Sequence, residues 1–381
     1  MSVQRPRVAI VHPWMPHYRV EFFERLRASL DASGITLEVA YGSNPPFARD
    51  RGDEHGLSWG TRLNDREISL GGRSLVHREP WKPALEADLL ILEDALRNTD
   101  TYRYLLGRSR RHKPTAFWGP GKTMDKTVGR IERGVKVALL KRGDWWFSYT
   151  EETGKYLAAS GIPAERITAV GNTLDASALS EARNSLTDVQ IDTRRTQLGL
   201  TAGHTALFMG GLSATKNLDL LVTAGRSVHA KDPKFRILVV GDGPERERLA
   251  EVAAEEDFLV MLGPLFSARE KALVAASADL MVMPGLVGLV AVDSFALGLP
   301  IVTVEQWPHA PEFAYLRSGE NAVVGNTTSS AYAAAIEATL SDRNQLQQLT
   351  DQCLRDAELY SLDAMVSRFS DGIRGALALR Y

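Results

Sequence analysis

The 381-residue chain has a single cysteine, Cys353, which excludes an internal disulfide framework and a cysteine zinc cluster. So little cysteine leads to the expectation of a cytoplasmic protein. The start, Met1-Ser2-Val3-Gln4-Arg5-Pro6-Arg7, runs into a short strand and lacks the apolar region of a secretion signal. Long hydrophobic runs are missing too. The longest, Leu280 to Val292, is short and broken by Gly and Pro, which excludes a bilayer span. Neither sign of charge dominates. The formal net charge of −2 argues against nucleic acid as a partner of the whole molecule. There is no internal repeat and no low-complexity segment. What is present is an ordinary soluble composition, 44% hydrophobic and 24% charged, in a chain long enough for two domains with a core in each.

Apolar runs alternate with helical patterns throughout, which predicts an α/β fold with parallel sheets. In the first half, residues 8–11, 35–40, 89–92, 115–118, 146–149 and 167–170 read as strands, and Tyr18 to Leu30 as an amphipathic helix. In the second half the strand candidates are 206–209, 237–240, 259–262, 280–283 and 301–304. Two successive units of this kind predict two Rossmann-like domains facing across a cleft, with ligands at the strands' C-terminal edges. The expected domains are 1–180 and 201–360, joined by a polar, weakly periodic linker at 181–200. A last helical stretch covers 361–381.

The most informative segment runs from Pro284 to Pro300, Pro-Gly-Leu-Val-Gly-Leu-Val-Ala-Val-Asp-Ser-Phe-Ala-Leu-Gly-Leu-Pro. A strand ends at Pro284, a glycine-rich turn follows, and a helix starts near Leu289 with Asp293 one turn in. Free N–H groups and a positive helix end at a strand edge suit a phosphate, and Asp293 could reach a ribose diol. The plain alternative is a tight βα turn of any α/β domain.

In its context this segment resembles the donor-site motif of family 4 glycosyltransferases (glycosyl transferases group 1), which have the GT-B fold. Gly288-Leu289 matches the motif's inner Gly-Leu, Asp293 stands at its second Glu, and Gly298 and Pro300 match its closing Gly-x-Pro. Gly285 stands where the first Glu belongs. Upstream, Gly210-Gly211-Leu212-Ser213-Ala214-Thr215-Lys216 resembles the family's Gly-Arg-Leu…Lys element, with Lys216 in place and Gly211 replacing the Arg. Gly241-Asp242-Gly243-Pro244 resembles its Gly-Asp-Gly-Pro, and Gly263-Pro264-Leu265-Phe266 falls at its nucleobase turn. His309-Ala310-Pro311-Glu312, Gly319-Glu320-Asn321 and Asn172-Thr173-Leu174-Asp175 resemble further elements in the same order. The resemblance implies that Lys216 and Asp293 carry the chemistry, and that Gly210, Gly211, Gly241, Gly263, Leu265, Gly285, Val287, Gly288, Leu289 and Val290 line the donor site. It also implies that the last helix crosses back onto the first domain.

The first half resembles the family less sharply. His12-Pro13-Trp14-Met15-Pro16-His17-Tyr18-Arg19 ends the first strand, and Trp118-Gly119-Pro120-Gly121-Lys122 resembles a Trp-Gly-His-Gly turn with Pro120 in place of the His. His12, Tyr18, Arg19, Gly119 and Lys122 are the acceptor-side candidates. His12, alone near a strand end, reads more readily as a satisfied structural histidine. The run Arg103 to Arg142 is strongly basic, with only Asp125 and Glu132 opposing it. It is either an ordinary solvated face or a surface for an anionic membrane.

The expectation is therefore a retaining transferase that moves a sugar from a nucleotide-sugar donor, UDP- or GDP-linked, to a glycan or lipid-linked acceptor. With no Asp-x-Asp pair, neither metal nor other cofactor is expected. Location is cytoplasmic, peripheral on the inner membrane face if the basic run meets it. The losses at Pro120, Gly211 and Gly285 leave two alternatives open, a GT-B sugar-nucleotide epimerase and a catalytically silent sugar-nucleotide-binding subunit.

Overall fold

The computed structural model describes residues 5–44, 55–70, 73–109, 113–121 and 130–379. They divide into two units. The first is Met1–Asp175 with Leu362–Tyr381, and the second is Ala176–Ser361.

The first unit is built on strands β1 (Arg7–His12), β2 (Thr36–Tyr41), β3 (Thr61–Arg62), β6 (Leu89–Glu93), β7 (Thr115–Gly119), β8 (Trp145–Ser148) and β9 (Ile167–Ala169), with a separate hairpin of β4 (Asp65–Leu70) and β5 (Arg73–Arg78). The sheet order is β3-β2-β1-β6-β7-β8-β9, and every pairing in it is parallel. Strands such as β1 and β7 are apolar on both faces because helices cover both sides of a parallel sheet. On one side, Phe22 and Phe23 of helix His17–Ala32 pack with Met365, Phe369 and Ile373 of helix Leu362–Leu377. The last helix thus belongs to the first unit. Phe369 stacks on Phe147, with 4.3 Å between ring centroids.

The second unit has six parallel strands, β10 (Thr205–Met209), β11 (Arg236–Val240), β12 (Leu259–Gly263), β13 (Leu280–Met283), β14 (Ile301–Val304) and β15 (Ala322–Gly325), in the order β12-β11-β10-β13-β14-β15. This is the doubly wound order, reversing between β10 and β13. The first unit reverses between β1 and β6. Ligands of such sheets bind where the order reverses, outside the strands' carboxyl ends.

Two expectations need correction. Residues 181–200 are not a linker. They lie in helices Ser177–Asn184 and Asp188–Gln197 and the turn after them, inside the second unit. Thr187 and Gln190 form a reciprocal capping box, and Arg195 donates to the carbonyls of Ala276 and Ser277. The polar composition misled because these helices bury little beyond Leu179.

The basic run is not one continuous surface either. It contains helix Thr99–Ser109, β7 and helix Arg130–Leu140, while Arg110, Arg111 and residues 122–129 lie outside the described residues. Arg108 is fully buried. Its guanidinium donates to the carbonyls of Ala84 (2.9 Å), Ala87 (3.0 Å) and Pro114 (2.6 Å) and to Thr115 Oγ1 (3.2 Å). Lys113 bonds the carbonyls of Glu86 and Ala87, and buried Lys136 lies 3.8 Å from Asp94. These three cations are structural. Removing Arg108 leaves several buried carbonyls without a donor, so Arg108→Met should cost about 3 kcal/mol or more. An unchanged urea midpoint in Arg108→Met would contradict this.

Candidate active site

The turns after β10 and β13 meet at the second unit's switch point. After β10 the chain makes a short 3₁₀ turn, Ala214–Lys216, and Asn217 takes a left-handed conformation (φ 52°) to enter helix Leu218–Lys231. Leu286 N–H donates to Thr215 O at 2.9 Å, and Asn217 Nδ2 to Pro284 O at 3.2 Å. Trp307 Nε1 reaches the same Thr215 oxygen at 2.8 Å. Lys216 Nζ donates to Leu286 O at 2.6 Å. Lysine and glycine-rich turn are therefore together.

This contact explains the missing first Glu. A Cβ on Gly285 would lie 2.2 Å from the Lys216 carbonyl carbon and 2.5 Å from its Cα. No side chain fits unless backbone moves. Gly211 differs, since a Cβ there meets nothing closer than Asp242 O at 4.0 Å.

On its other side the turn is held by His309. Val287 N–H donates to His309 Nδ1 at 3.2 Å, and His309 Nε2–H donates to Val304 O at 2.7 Å, which defines the tautomer. Phe313 stacks on the ring at 3.9 Å, and Ala310 N–H donates to Val287 O at 2.9 Å. The helix Val290–Leu297 follows, its first backbone bond running from Ala291 to Gly288. The N–H groups of Gly288, Leu289 and Val290 make no hydrogen bond among the described residues. They form an N-terminal helix end able to take an anion.

Asp293 sits one turn along this helix. The protein atoms around its carboxyl disfavour the charge and push its pKa up to about 6, with Lys271 opposing. The neighbouring turns continue the edge. Gly210 N–H bonds Val240 O, Leu212 N–H bonds Asp242 O, and Gly241 N–H bonds Gly263 O. Gly241 has φ 146°, and a Cβ there would stand 1.9 Å from Gly210 O, so only glycine fits. Leu265 is half-buried after Gly263, and Phe266 is exposed. The structure thus assembles Gly210, Gly211, Lys216, Gly241, Gly263, Gly285 and Val287 to Val290 along one sheet edge, with Asp293 behind them.

The first unit has its own cavity at its switch point, about 130 Å³, lined among others by His12, Trp14, Tyr18, Glu93, Trp118 and Tyr149. His12 Nδ1–H donates to Trp14 O at 2.5 Å, leaving Nε2 as an acceptor. Burial and the nearby Arg19 charge lower its pKa to about 3, so the ring is neutral. Glu93 accepts from Asn98 Nδ2 at 2.7 Å.

Arg19 also lines this cavity, and its buried guanidinium donates to Asn172 Oδ1 and, at 3.3 Å, the Thr173 carbonyl. Arg25, two turns on, pairs with Asp175 at 2.6 Å. The Asn172…Asp175 element therefore anchors the first helix. Gly119 is structural as well, because a Cβ there would stand 2.2 Å from Asp94 Oδ1. Lys122 lies outside the described residues. Asp94, overlooked in the sequence, accepts from Gly121 N–H at 2.6 Å, and burial pushes its carboxyl up to about 7 against the pull of Lys136.

The family model described as Glycosyl transferases group 1 matches residues 203–342. A comparison with curated proteins found no match. Among solved structures, HepE from Anabaena, crystallised with UDP, is 14% identical with a TM-score of 0.68, covering 97% of this chain and 99% of that one. A glycosyltransferase from Rickettsia africae is 10% identical at 0.68, covering 99% and 100%. Sucrose-phosphate synthase from Thermosynechococcus elongatus is 16% identical at 0.62, covering 97% and 98%. The fold is GT-B, with two Rossmann-like domains.

The contrast between the two glycines is measurable. Gly285→Ala should lower stability by about 1–3 kcal/mol through overpacking, whereas Gly211→Ala should stay within about 0.5 kcal/mol of the parent. Equal denaturation midpoints for the two variants would contradict the packing account.

Proposed function

We propose, from a second unit of the glycosyl transferases group 1 type, that the protein transfers a sugar from a nucleotide-sugar donor to a hydroxyl of a glycan or lipid-linked acceptor, with retention of configuration. The observation that carries this is Lys216 Nζ held 2.6 Å from Leu286 O, beside the unbonded N–H groups of Gly288 to Val290. Breaking the bond from the anomeric carbon to the phosphate oxygen leaves negative charge on the nucleoside diphosphate. A lysine and a helix end already in place would stabilise that charge without reorganising. Neighbours solved with UDP and UDP-glucose support a uridine donor. Asp293 would hold the ribose diol, since a carboxylate accepts from two adjacent hydroxyls.

The first-unit cavity would take the acceptor. Its neutral His12 offers an acceptor nitrogen, Glu93 a carboxylate, and Trp14, Trp118 and Tyr149 apolar faces. That combination suits a hydroxyl-bearing sugar ring. Nothing in this scheme calls on a metal ion, and the site is proposed to be metal-independent.

A thermal-shift panel of UDP-, GDP- and ADP-sugars tests the donor, because a ligand bound to the folded state raises its stability. UDP-sugars should give the largest shift, and no shift with any of them would remove the reading. Lys216→Ala should reduce turnover by about 100-fold, the scale of losing one preorganised charge-stabilising group. The control is Lys231→Ala, an exposed lysine paired with Glu337. Equal turnover in both would take Lys216 out of the mechanism.

Asp293 adds a pH dependence. Its pKa of about 6 means that the carboxyl gains a proton as pH falls through 6 and loses acceptor capacity. UDP affinity should therefore decline below pH 6 more steeply in the parent than in Asp293→Asn, which also controls for the titration of UDP itself. Parallel pH profiles in calorimetric titrations would exclude the diol role.

A further inference from the structure

The second unit carries a cavity away from its candidate active site. The cavity has a volume of about 670 Å³ and lies at the amino ends of β13 and β14, with Asp279 and Leu299 in its wall, whereas the glycine turns lie at the carboxyl ends. Three arginines from three helices line it. They are Arg183 of Ser177–Asn184, Arg195 of Asp188–Gln197 and Arg343 of helix Arg343–Leu359. Leu186, Ile191, Leu297 and Leu346 add an apolar wall.

The charge is not balanced within the lining, where Asp279 is the one acid. Its carboxylate is already bonded, accepting from Gly203 N–H at 2.8 Å, from Thr205 N–H at 2.9 Å and from Arg343 Nη1 at 3.3 Å. Arg195 donates to the carbonyls of Ala276 and Ser277, and it pairs at 3.5 Å with Asp192, which stands mostly in solvent. Arg183 makes no ion pair among the described residues, and its Nη1 donates to Asn184 Oδ1 at 3.1 Å. Nε and Nη2 of both Arg183 and Arg343 make no hydrogen bond among the described residues. Gly298 ends helix Val290–Leu297 in a left-handed conformation (φ 62°), and a Cβ there would stand 3.2 Å from Arg183 Nε. The glycine thus leaves the guanidinium its place, at a helix end that suits a cation.

We propose that this cavity binds a small organic phosphate, with Arg183 and Arg343 taking the oxyanion and the apolar wall taking the organic part. Guanidinium groups match phosphate oxygens through paired N–H donors. Arginines from separate helices suit a tetrahedral group with oxygens on several sides better than a planar carboxylate. Inorganic phosphate would leave the apolar wall unused. The cavity shares no residue with the candidate donor site, so the proposal does not depend on the catalytic reading.

The test is calorimetric titration of the full chain with phenyl phosphate, inorganic phosphate and benzoate, each with and without saturating UDP. Phenyl phosphate should bind at one site per chain, more tightly than the other two, and should still bind when UDP is present. Arg183→Gln should weaken it about ten-fold or more, the scale of one lost charge-assisted hydrogen bond, while Arg183→Lys, which keeps the charge, should lose less. Thr350→Glu, which adds a negative charge to the lining, should weaken it too and guards against a fold defect in the arginine variants. Lys231→Gln, in an exposed pair elsewhere on the unit, should match the parent. No binding, displacement by UDP, benzoate binding as tightly as phenyl phosphate, or undiminished binding in both Arg183→Gln and Thr350→Glu would each overturn the proposal.

Discussion

The candidate site of the second unit depends on one close approach, the backbone of Thr215 and Lys216 lying directly on the turn at Gly285. Adjacent parallel strands run about 4.8 Å apart, so the turns leaving β10 and β13 compete for the same space. The competition is resolved by removing a side chain at 285 and by hydrogen bonding the two turns together through Leu286, Asn217 and Trp307. Lys216 then has no freedom to sit elsewhere. Its ammonium is delivered to the Leu286 carbonyl by the same turn that fills the space a glutamate would need. Loss of the motif's first acid and exact seating of its lysine are thus one structural event.

The second fixed point is His309. With Nε2–H given to Val304 O, its Nδ1 can only accept, and it accepts from Val287 N–H. The glycine-rich turn is therefore held from both sides, by the β10 turn and by the segment after β14. A turn held in this way can leave the Gly288 to Val290 amides unbonded without collapsing onto them. The same reasoning separates the two departures from the family pattern. Gly285 is required by packing, whereas Gly211 faces open space.

Much of this was legible in the sequence, and the reasons are physical. Strands buried on both faces write themselves as short apolar runs, so β1, β6, β7 and the strands β10 to β14 stood out. The edge strands β3 and β15 and the β4–β5 hairpin did not, because β3 has two residues, the hairpin is mixed in polarity, and in Ala322–Gly325 only Ala322 is fully buried. Helices 177–184 and 188–197 were hidden by their polar exteriors. The placement of Lys216, the glycine turns and Asp293 followed from motif spacing. The commitments of Arg19 and Arg108 did not. Nothing in a run of basic residues distinguishes an arginine that meets solvent from one that binds four buried oxygens. Only the fold brings Ala84, Ala87 and Pro114 around Arg108, and Asn172 to Arg19.

The two units present their chemistry in different currencies. The second offers mostly backbone groups, whose positions are set by glycines and by turns bonded to one another. Side-chain substitution there acts through packing, and Lys216 and Asp293 are the side chains proposed to act directly. The first offers buried side chains, where burial lowers the pKa of His12, pushes Asp94 up to about 7 and leaves Arg19 bonded to neutral oxygens. Such groups cannot rely on solvent to screen one another. Low dielectric strengthens each hydrogen bond and raises the cost of any left unmade. The cavity at His12 is therefore the less tolerant site. A change in one of its polar side chains alters the electrostatics of its neighbours, whereas a change beside the glycine turns matters only when it meets an atom.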